Sequence, residues 1–162
     1  MSRLAAQAKA EYYPTPLEVV DLISTYLALP RRKGELARLY DPCCGEGLAL
    51  AHLAARLREQ TGAVIQTWGS ELHPGRAAEA ATRLDVALEA PFEAVSWTPT
   101  HGVASVLFLN PPYDWSVDAG ARRVEDLFLE RATPALVVPG GVLVYIIPVS
   151  AFYRGAYEAL LI

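Results

Sequence analysis

Asn110-Pro111-Pro112-Tyr113 carries more chemistry than any other segment of this chain. It follows an apolar run, Val106-Leu107-Phe108-Leu109, that reads as a buried strand. An asparagine placed there projects past the carboxyl end of the strand, where open α/β sheets bind their ligands. Two prolines stiffen the backbone and remove two N–H donors, so the carbonyls act only as acceptors. A rigid, acceptor-rich corner beside an aromatic ring suits a planar group bearing NH2. A nucleobase amine and an amide side chain both have that shape.

A second candidate segment is Asp41-Pro42-Cys43-Cys44-Gly45-Glu46-Gly47, which follows a short strand at Leu39-Tyr40. A glycine turn between a first strand and a helix admits a ligand that needs close backbone approach. The dinucleotide fingerprint would need a further glycine where Leu50 stands, and no lysine follows either glycine as a phosphate loop requires. A cradled pyrophosphate is therefore not expected. Cys43 and Cys44 read as small loop fillers, because no basic neighbour in the sequence would lower a thiol pKa. Glu71 closes the second strand, about 20 residues beyond the glycines, where an acid accepts hydrogen bonds from ribose hydroxyls. Its alternative role is a favourable charge at the start of the helix after His73-Pro74.

Regular alternation of helix and strand must position these segments. Thr15-Pro16-Leu17-Glu18 has the form of a capping box with proline at the first helical position. The helix it opens places Val20, Ile23 and Leu27 on one face and stops before Pro30. A second helix is expected from Leu48 to about Gln60, a strand from Val64 to Trp68, and a helix from about Gly75 to Leu84. A weak strand around Phe92 to Trp97 comes next, then the strand ending at Asn110. A helix from about Ala121 to Thr133, continuing past Pro134, leads to a buried strand at Val142 to Ile147. Strands separated by helices imply right-handed crossovers and a doubly wound, mainly parallel sheet of about five strands, in the order 3-2-1-4-5.

Composition bounds the rest. At 162 residues, 52% hydrophobic and 20% charged, with 12 prolines and 11 glycines, the chain reads as one globular domain. It contains no run of the roughly 18 apolar residues that a membrane span needs. Met1 to Gln7 lacks the apolar core of a secretory signal. The two cysteines are adjacent, which excludes CxxC metal spacing and disfavours a disulfide. A cytoplasmic protein without metal or membrane partner is expected. The net charge of −4 and pI near 5.4 do not by themselves favour nucleic acid, whose binders usually carry a basic footprint. The basic pairs and triplets, Arg31-Arg32-Lys33 and Arg122-Arg123, read as solvated charges, and His52, His73 and His101 as isolated structural or exposed residues. The apolar ending Ala159-Leu160-Leu161-Ile162 gives the expectation of a catalytic-domain fragment, or of a chain whose end a partner covers.

In this order and spacing, the segments resemble the N6-adenine DNA methyltransferases of restriction-modification systems. These are class I S-adenosylmethionine-dependent enzymes, and the likeness is to the group whose Thr-Pro motif comes first. It covers Tyr12 to about Pro148. Tyr12-Tyr13-Pro14-Thr15-Pro16-Leu17-Glu18-Val19-Val20 resembles the family's Thr-Pro-x-Glu-Val-Val segment, Asp41 to Gly47 its cofactor loop, and Asn110 to Tyr113 its catalytic corner. The resemblance implies a Rossmann-like fold and S-adenosyl-L-methionine as cofactor. It implies that Tyr13, Thr15, Asp41, Pro42, Cys43, Gly45, Gly47, Glu71, Leu72, Phe92 and Asn110 bind the cofactor, with Thr15 and the helix start near the methionine carboxylate and Phe92 against the adenine ring. Catalysis falls to Asn110, Pro111, Pro112 and Tyr113. Two oxygens, the Asn110 side chain and the Pro111 carbonyl, accept the protons of an adenine amine, and Tyr113 stacks on the extruded base.

The chain departs from the family in carrying Ala90 where an aspartate is common, and in lacking the later strands and the target recognition region. With its acidic charge it is expected to need a recognition region or partner subunit to hold DNA. The alternatives are methyl transfer to RNA or to a protein glutamine amide, and a non-catalytic module of a larger assembly.

Overall fold

The computed structural model describes residues 12–29, 36–96, 103–113, 115–116, 122–136 and 140–149. Expectations for the two termini, Pro30, Arg31-Arg32-Lys33, Trp97 and His101 lie outside the described residues. In chain order the elements are α1 (Leu17–Tyr26), β1 (Leu36–Asp41), α2 (Leu48–Thr61), β2 (Val64–Glu71), α3 (Pro74–Ala81), β3 (Val86–Glu89) and β4 (Val106–Leu109). They are followed by β5 (Trp115–Ser116), β6 (Arg122–Arg123), α4 (Val124–Ala132) and β7 (Val142–Tyr145). Five strands make one parallel sheet in the order β3-β2-β1-β4-β7, and β5 and β6 form a separate antiparallel ribbon. With the ribbon set aside, this is the doubly wound order 3-2-1-4-5. The order reverses between β1 and β4, which places the topological switch point at their carboxyl ends.

Strand β4 shows why the sheet must be covered on both faces. Its four residues are buried, and their alternation divides them between two cores. Val106 and Phe108 join Leu39, Ile65, Val20 and the inner face of α2 (Leu50, Leu53, Ala54, Leu57). Leu107 and Leu109 face Tyr40, Ala104, Ala132 and Ala135 on the side of α4. The expected inward face of α1 holds: Val20 is buried, with Ile23 and Leu27 packed against the first core. Among the described residues, no helix is long and apolar enough to cross a membrane.

Four expectations need correction. The third strand is Val86–Glu89, and Phe92–Ala94 is a single 3-10 turn. The strand lies at an edge of the sheet, is largely exposed and is built from Val-Ala-Leu-Glu, so it lacks the β-branched signature of a buried strand. Helix α3 ends at Ala81, and Leu84 packs into the core from the turn that follows. Helix α4 starts at Val124, because Arg122 and Arg123 pair with Ser116 and Trp115 in the ribbon; past Ala132 it continues as a 3-10 turn through Pro134. Strand β7 is half-buried throughout rather than buried, since within the described sheet only β4 flanks it.

The loop after β1 lies directly on β2. The Cys44 N–H donates to the Ser70 carbonyl at 3.0 Å, and Ser70 Oγ donates to the Pro42 carbonyl at 3.0 Å. This close approach requires Gly69: a Cβ there would stand 2.6 Å from Cys44 Sγ and 2.7 Å from Leu84 Cδ1. Gly69→Ala is therefore expected to lower unfolding free energy by about 1–3 kcal/mol, the usual cost of overpacking. Urea denaturation followed by circular dichroism would measure it, and an unchanged midpoint would contradict the packing described.

Candidate functional site

A cleft of about 530 Å³ opens over the carboxyl ends of β1, β2 and β4. Of the residues singled out from sequence, Tyr13, Thr15, Asp41, Pro42, Cys43, Glu71, Leu72, Phe92, Asn110, Pro111 and Pro112 line it. Gly45, Gly47 and Tyr113 are not among its lining residues.

The glycine turn is built for its backbone. Gly45 (φ 56°) and Gly47 (φ 76°) both take left-handed conformations, and Gly47 forms the N-cap of α2. A side chain on Gly45 would also collide with the Tyr12 ring. The turn is held by Gly47 N–H to the Cys44 carbonyl at 2.9 Å, Cys43 N–H to Asp41 Oδ1 at 2.9 Å, and Gly45 N–H to Glu71 Oε2 at 3.0 Å. The Glu46 N–H donates to the Tyr12 hydroxyl at 3.4 Å.

Glu71 is buried and already engaged. Its Oε1 accepts from the His73 N–H at 2.8 Å and from Arg76 Nη2 and Nε at 2.8 and 3.2 Å. A carboxylate oxygen offers about two lone-pair sites. Oε1 is thus saturated, while Oε2, holding the Gly45 N–H, has room for one more donor. Arg76, whose guanidinium also lies 5.0 Å from the centre of the Tyr12 ring, and Tyr12 itself are site residues that sequence reasoning missed. Position 76, in the first turn of the helix just beyond the strand-end acid, was the available signal for the arginine.

Asn110 shows a definite orientation. Its Nδ2 donates to the Tyr13 carbonyl at 2.8 Å and to Thr15 Oγ1 at 3.0 Å, and its Oδ1 accepts from the Tyr113 hydroxyl at 2.8 Å. The same hydroxyl lies 2.8 Å from the Ile146 carbonyl, so one proton serves two acceptors. Burial pushes the Tyr113 phenol up to about 12, and it stays a donor at neutral pH. The expected capping box does not form. The N-cap of α1 is Pro16, with no side-chain cap, and the Thr15 hydroxyl is turned to Asn110 instead.

Phe92 stacks on Phe128 of α4, with centroids 3.6 Å apart and planes at 19°. Phe128, thirteen residues past the ribbon's start, carries no sequence signal for that role. Leu72 is 68% exposed at the same cleft. The histidines with described positions are structural: His52 Nε2 meets Asp21 Oδ1 at 2.8 Å, and His73 Nδ1 accepts from the Arg76 N–H at the start of α3. Arg122 is exposed and pairs with Glu130 at 2.6 Å, while Arg123 reaches the buried Glu125 at 3.1 Å, so the second of this pair is not merely solvated. Both thiols are free and pushed up by burial, which keeps them protonated. Among the described residues, no group of three or more His, Cys, Asp or Glu side chains is arranged to hold a metal ion.

The sequence profile of an uncharacterised methyltransferase family (DUF6094) matches residues 1–158. The chain belongs to this family. No curated protein matches it. Among solved structures, it is similar to a Listeria monocytogenes protein described as a class I S-adenosylmethionine-dependent methyltransferase. The TM-score is 0.69 at 19% identity, over 85% of this chain and 47% of that one. It is similar also to the methyltransferase subunit of a type I restriction-modification system from Streptococcus thermophilus, with a TM-score of 0.65 at 21% identity, over 85% of this chain and 34% of that one. The plantazolicin methyltransferase BpumL, solved with S-adenosylhomocysteine (SAH), gives 0.53 at 13% identity, over 88% and 50%. The chain thus spans a third to a half of the length of these structures, and the likeness establishes a Rossmann-like methyltransferase fold.

Asp41 makes the site pH-sensitive. It is 3% exposed, and burial pushes its carboxyl from 3.8 up to about 7, with Glu71 adding to the rise and the Cys43 N–H opposing it. Between about pH 4 and 7 the folded chain therefore holds a proton that the unfolded chain has released, and stability falls as pH rises through that window. Asp41→Asn keeps an acceptor for Cys43 and removes the titration. Melting curves of the ligand-free protein should show the variant more stable than the parent at about pH 8, with a flatter pH profile. The parent's slope should approach ~1.4 kcal/mol per pH unit; a parent profile as flat as the variant's would contradict the burial of this charge.

Proposed function

We propose that this protein transfers a methyl group to the exocyclic amine, N6, of adenine in DNA. S-adenosylmethionine is the methyl donor: the family is one of methyltransferases, and the fold is that of class I enzymes, one of them solved with the demethylated product of this cofactor. The cleft has the size and character such a ligand needs. Two buried acids, Asp41 and Glu71, give the pocket acceptors for a hydroxyl-bearing molecule, and ionisation of Asp41 would favour a cationic one. Glu71 Oε2 has room for a ribose hydroxyl, and the apolar faces of Leu72 and Phe92 suit an adenine ring. Tyr13, Asp41, Pro42, Cys43, Gly45 and Gly47 would shape the backbone side of the same pocket.

The observation that carries the amine assignment is the Asn110 carbonyl oxygen, held at the carboxyl end of β4 in the wall of this cleft. The donor supplies an electrophilic methyl on a sulfonium sulfur. An adenine amine is a poor nucleophile because its lone pair is delocalised into the ring. Acceptance of its two protons by Asn110 Oδ1 and the Pro111 carbonyl draws that pair back to nitrogen and stabilises the positive charge that develops there. The N–CH3 bond would form as the S–CH3 bond breaks, leaving neutral S-adenosylhomocysteine, and the proton on the now cationic amine would pass to water, so no base of unusual pKa is needed. Tyr113 gives up its hydrogen bond to Asn110 and turns its ring to stack on the base, an interaction worth ~1–3 kcal/mol. Pro112 keeps the corner rigid. DNA as substrate is favoured by the restriction-modification subunit among the structural neighbours. The chain's acidic charge calls for a recognition region or partner subunit to hold the duplex.

The test is incubation with tritiated donor and adenine-containing duplex, in the presence of the native partner, followed by digestion to nucleosides. Label is expected in N6-methyl-2′-deoxyadenosine, and Asn110→Ala should reduce it by at least ~100-fold, as loss of one preorganised charge-stabilising group does. Label in RNA or in glutamine would move the substrate elsewhere. Full activity in the alanine variant would end the account of the acceptor corner.

A further inference from the structure

The two ends of a primary amide are nearly the same size, so an asparagine can present oxygen or NH2 to a ligand by turning over about its last torsion. A site that must offer oxygen to an amine therefore needs something that holds the NH2 elsewhere. At Asn110 both hydrogens are taken, by the Tyr13 carbonyl at 2.8 Å and the Thr15 hydroxyl at 3.0 Å. Thr15 is 8% exposed, and its hydroxyl is released from capping because the N-cap of α1 is Pro16. A reversed amide would set its oxygen against the Tyr13 carbonyl, two acceptors with no proton between them. An ionised aspartate at this position would likewise offer the Tyr13 carbonyl no donor.

We infer that Thr15 is a positioning residue for methyl transfer: together with the Tyr13 carbonyl it locks the Asn110 amide with its oxygen toward the reacting amine. This rests on the assignment of Asn110 as amine acceptor. It gives Thr15 a task distinct from contact with the cofactor carboxylate, and it couples the segment before α1 directly to the end of β4.

Asn110 is the only asparagine in the chain, so selective ¹⁵N-asparagine labelling yields a single side-chain NH2 pair for NMR. Both protons of the parent should exchange with solvent more slowly than those of a free amide. In Thr15→Val one of the two should lose that protection while the other, on Tyr13, keeps it; Thr15→Ser should restore both. Kinetically, Thr15→Val should lower kcat by roughly 3- to 10-fold, the worth of one neutral hydrogen bond, with KM for the donor within about twofold, and Thr15→Ser should recover it.

A parent NH2 pair that exchanges as a free amide would overturn the lock without any variant. So would a Thr15→Val protein with unchanged kcat and a raised donor KM, which would assign Thr15 to cofactor binding alone. Were no adenine methylated by the parent, the substrate assignment would fail, while the exchange of the labelled pair would still decide whether the amide is held.

Discussion

Both hydrogens of the Asn110 side chain are committed to residues nearly a hundred positions earlier in the chain, and the candidate site depends on that commitment. Each hydrogen bond contributes only about 1 kcal/mol net, but a partly buried donor left without a partner costs more than its bond is worth. The segment that supplies the acceptors is itself pinned over the glycine turn, where the Tyr12 ring covers Gly45 and its hydroxyl receives the Glu46 N–H. Three stretches that are remote in sequence, at Tyr12–Thr15, Asp41–Gly47 and Asn110–Tyr113, thereby become one wall. The sheet order makes this possible: β1 and β4 are neighbours on either side of the switch point, and their loops diverge to leave the cleft between them.

The electrostatics of that wall are unfavourable in the absence of a ligand. Asp41 and Glu71 are two buried acids in one pocket, and Arg76 is the cation given to Glu71. Below about pH 7 the buried Asp41 holds its proton instead. Groups shifted in this way by burial concentrate at functional sites, where a ligand of the right charge relieves the cost. A positively charged donor would be such a ligand, and a ribose hydroxyl on Glu71 Oε2 would leave the Arg76 pair on Oε1 in place.

The parts of this arrangement that were legible in the sequence are those encoded locally. Val106 to Leu109, followed by two prolines, can be little other than a buried strand and a rigid corner, and Gly45 and Gly47 mark a turn that needs left-handed backbone. The order of helices and strands then sets the sheet. What escaped were contacts set by tertiary packing. Thr15 has the pattern of a cap, yet Asn110 offers its hydroxyl a partner and Pro16 begins the helix unaided. Arg76 and Phe128 acquire their places only when α3 and α4 dock beside the cleft. Strand β3 is four residues of weak propensity that pair because β2 is there to pair with. Tyr113, taken from sequence as a stacking ring, uses its hydroxyl to occupy the oxygen that an amine would claim.

The most direct measurement is a crystal structure with sinefungin, a donor analogue in which a carbon bearing an amine replaces the sulfur bearing the transferable methyl. The account predicts that the analogue's amine points at Asn110 Oδ1 within a few ångströms, with the Asn110 NH2 still on Tyr13 and Thr15. An analogue bound elsewhere, or an Asn110 oxygen turned away from that amine, would contradict it.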